Sequence, residues 1–400
     1  VPPRAPVDPR TGLEAARLGV YVHFPYCLSK CPYCDFASIA AREVPDERYT
    51  RAVLAELDAR VDAHVLAGRE VQAIFIGGGT PSLWSPASVA RVLERLAARL
   101  TLAEGLEVTL EANPGAADAS RFAGYRQAGV NRLSMGVQSF QSSTLSTLGR
   151  GHDGDAARRA FAAAREAGFT NVSMDFIYGV HGQTEAQVEA DALAAAALQP
   201  EHLSAYALTL DKASLAEEVP LARQLARGEV TLPADETVLR MQRRVRDVFG
   251  VAGLERYEVS NYARPGFHSR HNTLYWTGGE YLALGAGATG FLVGESSFRY
   301  ANQRSAERYF ADVEAGRLPE QTREPLGPAE RFSERVAMGL RLVAGLRLRE
   351  VCDDFGQPFA PRELTVRHLV SAGLATWDGE RLRLTDRGFD VHSAISARLM

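Results

Sequence analysis

The first two-thirds of the chain alternates short β-like apolar runs with amphipathic helical stretches. This alternation limits the fold more than any single residue does. Strand candidates are Val20–Phe24, Ala73–Ile76, Glu107–Glu111, Arg132–Gly136, Asn171–Tyr178 and Leu203–Leu208. Stretches at about 47–67, 85–100, 117–128, 154–167, 184–198 and 235–249 carry apolar residues at helical period. Strand–helix units in series predict a parallel α/β sheet, and six of them predict an incomplete, TIM-like (β/α)6 version of the eight-unit barrel. Barrel chemistry collects at the C-terminal ends of strands, and the unusual residues of this chain fall there. The first strand runs into a cysteine loop and the second into Gly77-Gly78-Gly79-Thr80-Pro81. The third ends in Glu111-Ala112-Asn113-Pro114-Gly115, the fourth in Gly136-Val137-Gln138-Ser139, the fifth carries Asp175 and the sixth ends at Ala205-Tyr206-Ala207.

The cysteine loop reads Cys27-Leu-Ser-Lys-Cys31-Pro-Tyr-Cys34. Three thiolates can hold three corners of a cubane iron–sulfur cluster, leaving the fourth iron free to bind a small molecule. A structural zinc site normally takes four ligands, commonly in two pairs, and the one remaining cysteine, Cys352, is more than three hundred residues away. A disulfide is disfavoured in a four-cysteine chain that shows no secretory signal. Cys352 itself reads as a buried thiol packed in an amphipathic helix.

Residues 1–19, with Pro2, Pro3, Pro6 and Pro9, read as an extended lead-in, 20–210 as the barrel core and 211–325 as an extension of it. Residues 326–400 form a C-terminal unit of helices (Pro328–Val343, Leu348–Phe355, Arg362–Ala372), an alternating hairpin at 375–384 and a final helix, the layout of a winged-helix domain. Arginines there are nearly matched by acids and the net charge of the chain is −4, so a nucleic-acid partner is not expected and a packing or docking role is. The hydrophobic content of 46% suffices for a core. No uninterrupted apolar run approaches the roughly 20 residues of a membrane span. A cytoplasmic protein is expected.

Glu111, Gln138, Arg150 and Asp175 read as a polar shell on the barrel rim, with Arg150 suited to a carboxylate because a guanidinium matches it in geometry and charge. The segment Arg270-His271-Asn272-Thr273-Leu274-Tyr275-Trp276 admits two readings. His271 is either a haem-iron ligand or near neighbour flanked by ring-covering aromatics, or a structural histidine in a buried turn.

The cysteine spacing resembles that of the radical S-adenosylmethionine superfamily. Tyr21-Val22-His23-Phe24-Pro25 and Cys31-Pro32-Tyr33-Cys34-Asp35-Phe36 resemble the HemW haem-chaperone family, relatives of the oxygen-independent coproporphyrinogen III oxidase HemN. Similar segments continue through Gly77–Pro81, Glu111–Gly115, Asn131–Gln138, Asp175–Gly179, Tyr257–Asn261, His271–Trp276 and Gly285–Gly290, nearly the whole chain. The resemblance implies a radical S-adenosylmethionine barrel with a 4Fe–4S cluster on Cys27, Cys31 and Cys34. It implies S-adenosylmethionine contacts from Tyr21, Tyr33, Gly78, Gly79, Thr80, Glu111, Gln138, Arg150, Asp175 and Ala207, and haem handling by the His271-Asn272-x-x-Tyr275-Trp276 pattern. Implied partners are haem, a haem-acceptor protein such as a membrane-associated respiratory one, and an electron donor such as a flavodoxin or ferredoxin. Phe36 stands where the oxidase pattern has a further cysteine, and only twenty residues precede Tyr21. Both favour chaperone over oxidase, the alternative activity being oxidative decarboxylation of a porphyrinogen propionate; a radical enzyme on an unrelated substrate is a third reading. Two positions depart from the usual chaperone pattern, His181 for a common Pro and Thr289 for a common His.

Overall fold

The computed structural model describes residues 17–400 except 68, 117–118, 211–218 and 295. Most of the expected lead-in, and part of the expected extension, therefore lie outside the described residues. Six parallel strands alternate with helices: β1 (Arg17–Phe24), α1 (Asp46–Ala63), β2 (Glu70–Gly78), α2 (Pro86–Arg99), β3 (Thr101–Ala112), α3 (Ala119–Ala128), β4 (Arg132–Gln138), α4 (Gly154–Glu166), β5 (Val172–Tyr178), α5 (Glu185–Ala197) and β6 (His202–Ala207). The helices start where the chemistry of their first residues allows. Ser85 caps α2 by accepting from Ser88 N, with Pro86 at the first helical position, and Thr184 and Gln187 form a reciprocal capping box on α5.

Beyond β6 come α6 (Asp235–Val251), β7 (Glu255–Arg256), β8 (Asn261–Ala263), α7 (Arg270–Trp276), β9 (Glu280–Leu284), β10 (Thr289–Val293), β11 (Ser297–Asn302), α8 (Ala306–Glu314) and β12 (Glu320–Leu326). All twelve strands belong to one sheet, in the order β12-β11-β10-β9-β1-β2-β3-β4-β5-β6-β8-β7. The sheet is open, so the expectation of an incomplete barrel holds. The flank beyond β1 was not foreseen as strands: β9 adds a parallel neighbour to β1, and β10, β11 and β12 continue antiparallel from it. Short antiparallel strands need little apolar run and fall between turn residues, so periodicity alone passes over them.

Side chains of the parallel strands and the helices around them fill one core that includes Leu18, Val20, Val22, Ile74, Ile76, Leu110, Leu133, Met135, Met174 and Leu203. A second core belongs to the C-terminal unit of α9 (Pro328–Gly339), α10 (Leu348–Asp354), α11 (Ala360–Ser371) and the hairpin β13 (Ala375–Trp377) and β14 (Leu382–Leu384). Cys352 is fully buried in this second core, far from the other cysteines. The unit docks on the β7–β8 edge, where Arg341 donates to the fully buried Glu258 at 3.0 Å and Arg256 pairs with Asp386 at 2.5 Å. No described helix is long and apolar enough to cross a membrane.

Candidate functional site

The C-terminal ends of β1 to β6 enclose a cavity of about 580 Å³. The cluster and cofactor candidates singled out above all line it, as does His271: Cys27, Cys31 and Cys34; Tyr21 and Tyr33; Gly78, Gly79 and Thr80; Glu111, Gln138, Arg150, Asp175 and Ala207; Trp276 does not. Residues spread over 250 positions converge because each strand delivers its last side chains to the same rim.

The cysteine loop is braced from several sides. Cys34 N donates to Cys31 O at 3.1 Å, Ile39 N to Pro25 O at 2.7 Å, and Leu221 N to Pro32 O at 2.8 Å. The glycine turn then packs against the loop. Gly79 N donates to Phe24 O at 2.7 Å and Thr80 N to Tyr26 O at 2.9 Å. Gly78 has φ +117°, and a Cβ there would meet the His23 ring at 2.6 Å; one on Gly79 would meet Tyr26 O at 2.7 Å and Cys27 Sγ at 3.0 Å. No other residue fits so close to the thiols.

The three cysteines are free and half-buried, and burial pushes the Cys27 and Cys34 thiols up, with the neighbouring Cys31 adding to the effect. Three thiols held near one another in a partly dry loop require a cationic partner to become thiolates. Among the described residues no three His, Cys, Asp or Glu side chains converge on one ion-sized point.

Two carboxyl groups and an arginine share the cavity with the thiols. Burial raises Glu111 to about 8, against the opposing 2.9 Å hydrogen bond from Gly78 N, and nearby Asp175 raises it further. Asp175 is raised by burial too, although Ser134 Oγ donates to it at 3.1 Å. Two acids that cannot both ionise at no cost are the complement of a cationic ligand. Arg150 donates to Gly136 O at 2.6 Å and to Cys31 Sγ at 3.6 Å, while its buried Nε has no partner. An unmet guanidinium donor beside the thiols is the complement of a ligand carboxylate. Gln138 adopts φ +66°, an uncommon backbone for a residue with a side chain. The turn behind it is pinned by Asp191, which accepts from Ser139 Oγ at 2.5 Å and Phe140 N at 2.8 Å.

His271 lies in the cavity wall, only 2% exposed, stacked on Phe75 with ring centroids 5.0 Å apart. Its Nε2 pairs with Tyr275 Oη at 2.8 Å, its Nδ1 has no partner, and burial lowers it to about 3. The helix α7 that carries it is held against β3, with Glu107 accepting from both Arg270 N and His271 N. Sequence reasoning missed Arg132, Ser134 and Ser204, which also line the cavity, as does Tyr206 of the sixth strand end. Their signal was the period of two: Arg132, Ser134, Gly136 and Gln138 share one face of β4, as Ser204 and Tyr206 share one of β6.

An open parallel sheet presenting a three-cysteine loop above a glycine turn defines a radical S-adenosylmethionine protein. Residues 21–195 match the radical SAM superfamily model, and residues 326–391 match the HemN C-terminal domain. The solved coproporphyrinogen III oxidase HemN of Escherichia coli superposes with a TM-score of 0.81, covering 96% of this chain and 90% of that one at 22% identity, which establishes a shared fold. The HemW haem chaperone of Escherichia coli K12 is 41% identical over 274 residues, covering 68% of this chain and 70% of that protein. The HemW haem chaperone of Mycobacterium tuberculosis H37Rv is 35% identical over 391 residues, covering 96% and 94%. The mitochondrial radical S-adenosyl methionine domain-containing protein 1 of Bos taurus is 33% identical over 410 residues, covering 99% and 89%. The chain belongs to the HemW haem chaperone family.

Proposed function

We propose that this protein is a haem chaperone that binds haem, a 4Fe–4S cluster and S-adenosylmethionine, and passes haem to an acceptor protein. The observation that carries the cofactor part is the convergence of three thiols, two acids with raised affinity for protons and an unmet arginine donor on one cavity. Cys27, Cys31 and Cys34 hold three irons and leave the fourth open. Arg150 meets the methionine carboxylate; the Gly78–Thr80 backbone and Glu111 receive its amino group. Tyr21, Tyr33, Gln138, Asp175 and Ala207 complete the wall. When bound, the cluster and S-adenosylmethionine together supply one-electron chemistry at this site. His271 is assigned as a near neighbour of haem rather than its iron ligand, because its Nε2 is bonded to Tyr275 and its Nδ1 packs against Gly19 of β1.

Phe36, 58% exposed beside the cavity, favours chaperone over oxidase, since no fifth cysteine stands at that position. The acceptor we favour is a membrane-associated respiratory protein, the electron donor a flavodoxin or ferredoxin, and the compartment the cytoplasm. The test is to titrate haem into the reconstituted protein anaerobically, with and without S-adenosylmethionine, and then add a respiratory haem acceptor. Saturable binding followed by transfer of the Soret absorbance to the acceptor is expected. Conversion of coproporphyrinogen III to vinyl product over many turnovers, under reducing conditions, would establish the oxidase instead.

A further inference from the structure

Beside the cofactor cavity lies a second one, of about 640 Å³, with a different chemistry. One wall is the antiparallel flank of the sheet. Tyr281, Phe291 and Arg299 form a cross-strand row over β9, β10 and β11, and Thr289, Ala301 and Thr322 form another over β10, β11 and β12. The facing wall is helix α9 of the C-terminal unit. Arg331, Glu334, Arg335 and Met338 recur at helical spacing and present one face to the cavity. Trp276 closes the back, and its buried indole N–H has no acceptor.

Charge and shape together limit the occupant. Four arginines line the cavity, Arg299, Arg304, Arg331 and Arg335, against two acids, Asp35 and Glu334, so guanidinium groups outnumber carboxylates in the lining; Asp354 and Glu350 stand close enough to Arg335 to act on it. His23 adds no positive charge, since burial lowers it to about 4. Glu334 is already engaged with Arg299 at 2.7 Å. Arg335 donates to Trp276 O at 3.3 Å, and Arg331 stands between two rings, 5.0 Å from Phe355 and 5.7 Å from Phe291. A pocket of several hundred Å³ with Tyr281 and Phe291 on the sheet wall, Trp276 at the back and Arg331 and Arg335 on the helix wall suits a flat, apolar ligand bearing two carboxylates. The first cavity is lined with three thiols and the acids Glu111 and Asp175, which do not suit the carboxylates of such a ligand.

We propose that the second cavity is the haem seat, with the tetrapyrrole between Phe291 and Tyr281 on the sheet and α9 opposite, its carboxylates meeting Arg331 and Arg335. The proposal rests on the haem-chaperone reading and adds a location to it. It also gives α7 a purpose. His271 faces the cofactor cavity, Trp276 faces the haem cavity, and Tyr275 lines both while bonded to His271. Tyr21, Asp35 and Phe36 are likewise common to both linings, so the two ligands would sit on either side of a thin wall.

The test titrates iron protoporphyrin IX into full-length, cluster-reconstituted protein and follows the Soret band, with cluster iron and S-adenosylmethionine binding measured on the same samples. Thr289→Trp fills the cavity from the strand side and Met338→Trp from the helix side; both positions are exposed at its lining and tolerate bulk. Each is expected to weaken haem binding at least tenfold with cluster and cofactor binding unchanged. Arg331→Glu is expected to weaken haem by about tenfold but to leave the dimethyl ester of haem unaffected. Unchanged haem affinity in a tryptophan variant that retains its cluster would overturn the location, as would loss of S-adenosylmethionine rather than haem. If one tryptophan variant fails to fold, the other and the ester comparison decide. Absence of haem binding by the unsubstituted protein would be different: it would overturn the chaperone reading itself.

Discussion

The two cavities share a wall but are built by opposite means. The first is made by backbone. Its loops follow parallel strands directly, and Gly78, Gly79 and the positive-φ Gln138 bring main chain close to the thiols. The second is made by side chains from distant segments, and its sheet wall rests on buried charge. Glu56 and Arg60 of α1 are both fully buried, 2.7 Å apart, and Asn302, in the cavity wall, donates to Glu56 at 2.7 Å and accepts from Arg60 at 2.6 Å. Gly285 N and Tyr309 Oη donate to the other Glu56 oxygen, each at 2.8 Å. A site built on backbone is destroyed by changing one ligand, whereas a site built on a remote polar network fails when that network loses a partner.

The largest expected effect tests the first half of this contrast. Cys27→Ala, Cys31→Ala and Cys34→Ala should each abolish the 4Fe–4S cluster, read as iron and sulfide content and charge-transfer absorption, while Cys352→Ser retains it. Haem binding should survive in Cys27→Ala, because the second cavity takes none of its walls from the thiols. Joint loss of cluster and haem there would mean the two cavities act as one site.

Glu56→Ala comes next and probes the second half. Removing one partner of a buried pair leaves Arg60 with Glu320 at 3.0 Å as its remaining acid. Such a change typically costs about 3–5 kcal/mol. Urea unfolding should show that loss as a lower midpoint with an unchanged slope, and haem affinity should fall more than S-adenosylmethionine affinity. A loss below about 1 kcal/mol would show that the network is not what holds the second wall.

This difference in construction also explains what was legible in the sequence. The first cavity was readable residue by residue because its groups come in short contiguous motifs at strand ends, such as Cys27–Cys34 and Gly77–Pro81. Its inner floor was not, since Arg132 and Ser204 carry no motif and only strand periodicity marks them. The six parallel strands were found because each is a strong apolar run. Strands β9 to β12 were not, and with them went the second cavity, whose Arg299, Arg331 and Arg335 look like ordinary surface charge until the sheet places them opposite one another. The Glu56–Arg60 pair was equally hidden, an i,i+4 pair of the kind found on exposed helices.

A smaller effect concerns pH, and it belongs to the first cavity alone. In the cofactor-free protein Glu111 titrates near 8, whereas in the unfolded chain it titrates near its ordinary 4.5. Between those values the native state holds one more proton than the unfolded state, so stability falls as pH rises through the window. Asp175, also raised by burial, adds to the fall. Glu111→Gln should therefore match the unsubstituted protein near pH 5 and exceed it near pH 8 in thermal midpoint. Equal slopes in the two proteins would remove Glu111 as the source.

The smallest expected effect lies on the wall between the cavities. His271→Ala deletes the 2.8 Å bond to Tyr275 Oη, leaving a buried hydroxyl without its partner, but removes no group that lines the second cavity. Losing one neutral hydrogen bond is worth about 1 kcal/mol, so haem affinity should drop several-fold, with a small Soret shift as Tyr275 reorients. Cluster content should stay intact. His271→Gln, which can still bond the hydroxyl, should recover most of the affinity, and this recovery separates positioning from ligation. An imidazole bound to iron would not be replaced by an amide, so failure of the glutamine variant together with a large Soret change would make His271 the axial ligand. The haem would then occupy the cofactor side of the wall, and the second cavity would lose the role assigned to it here.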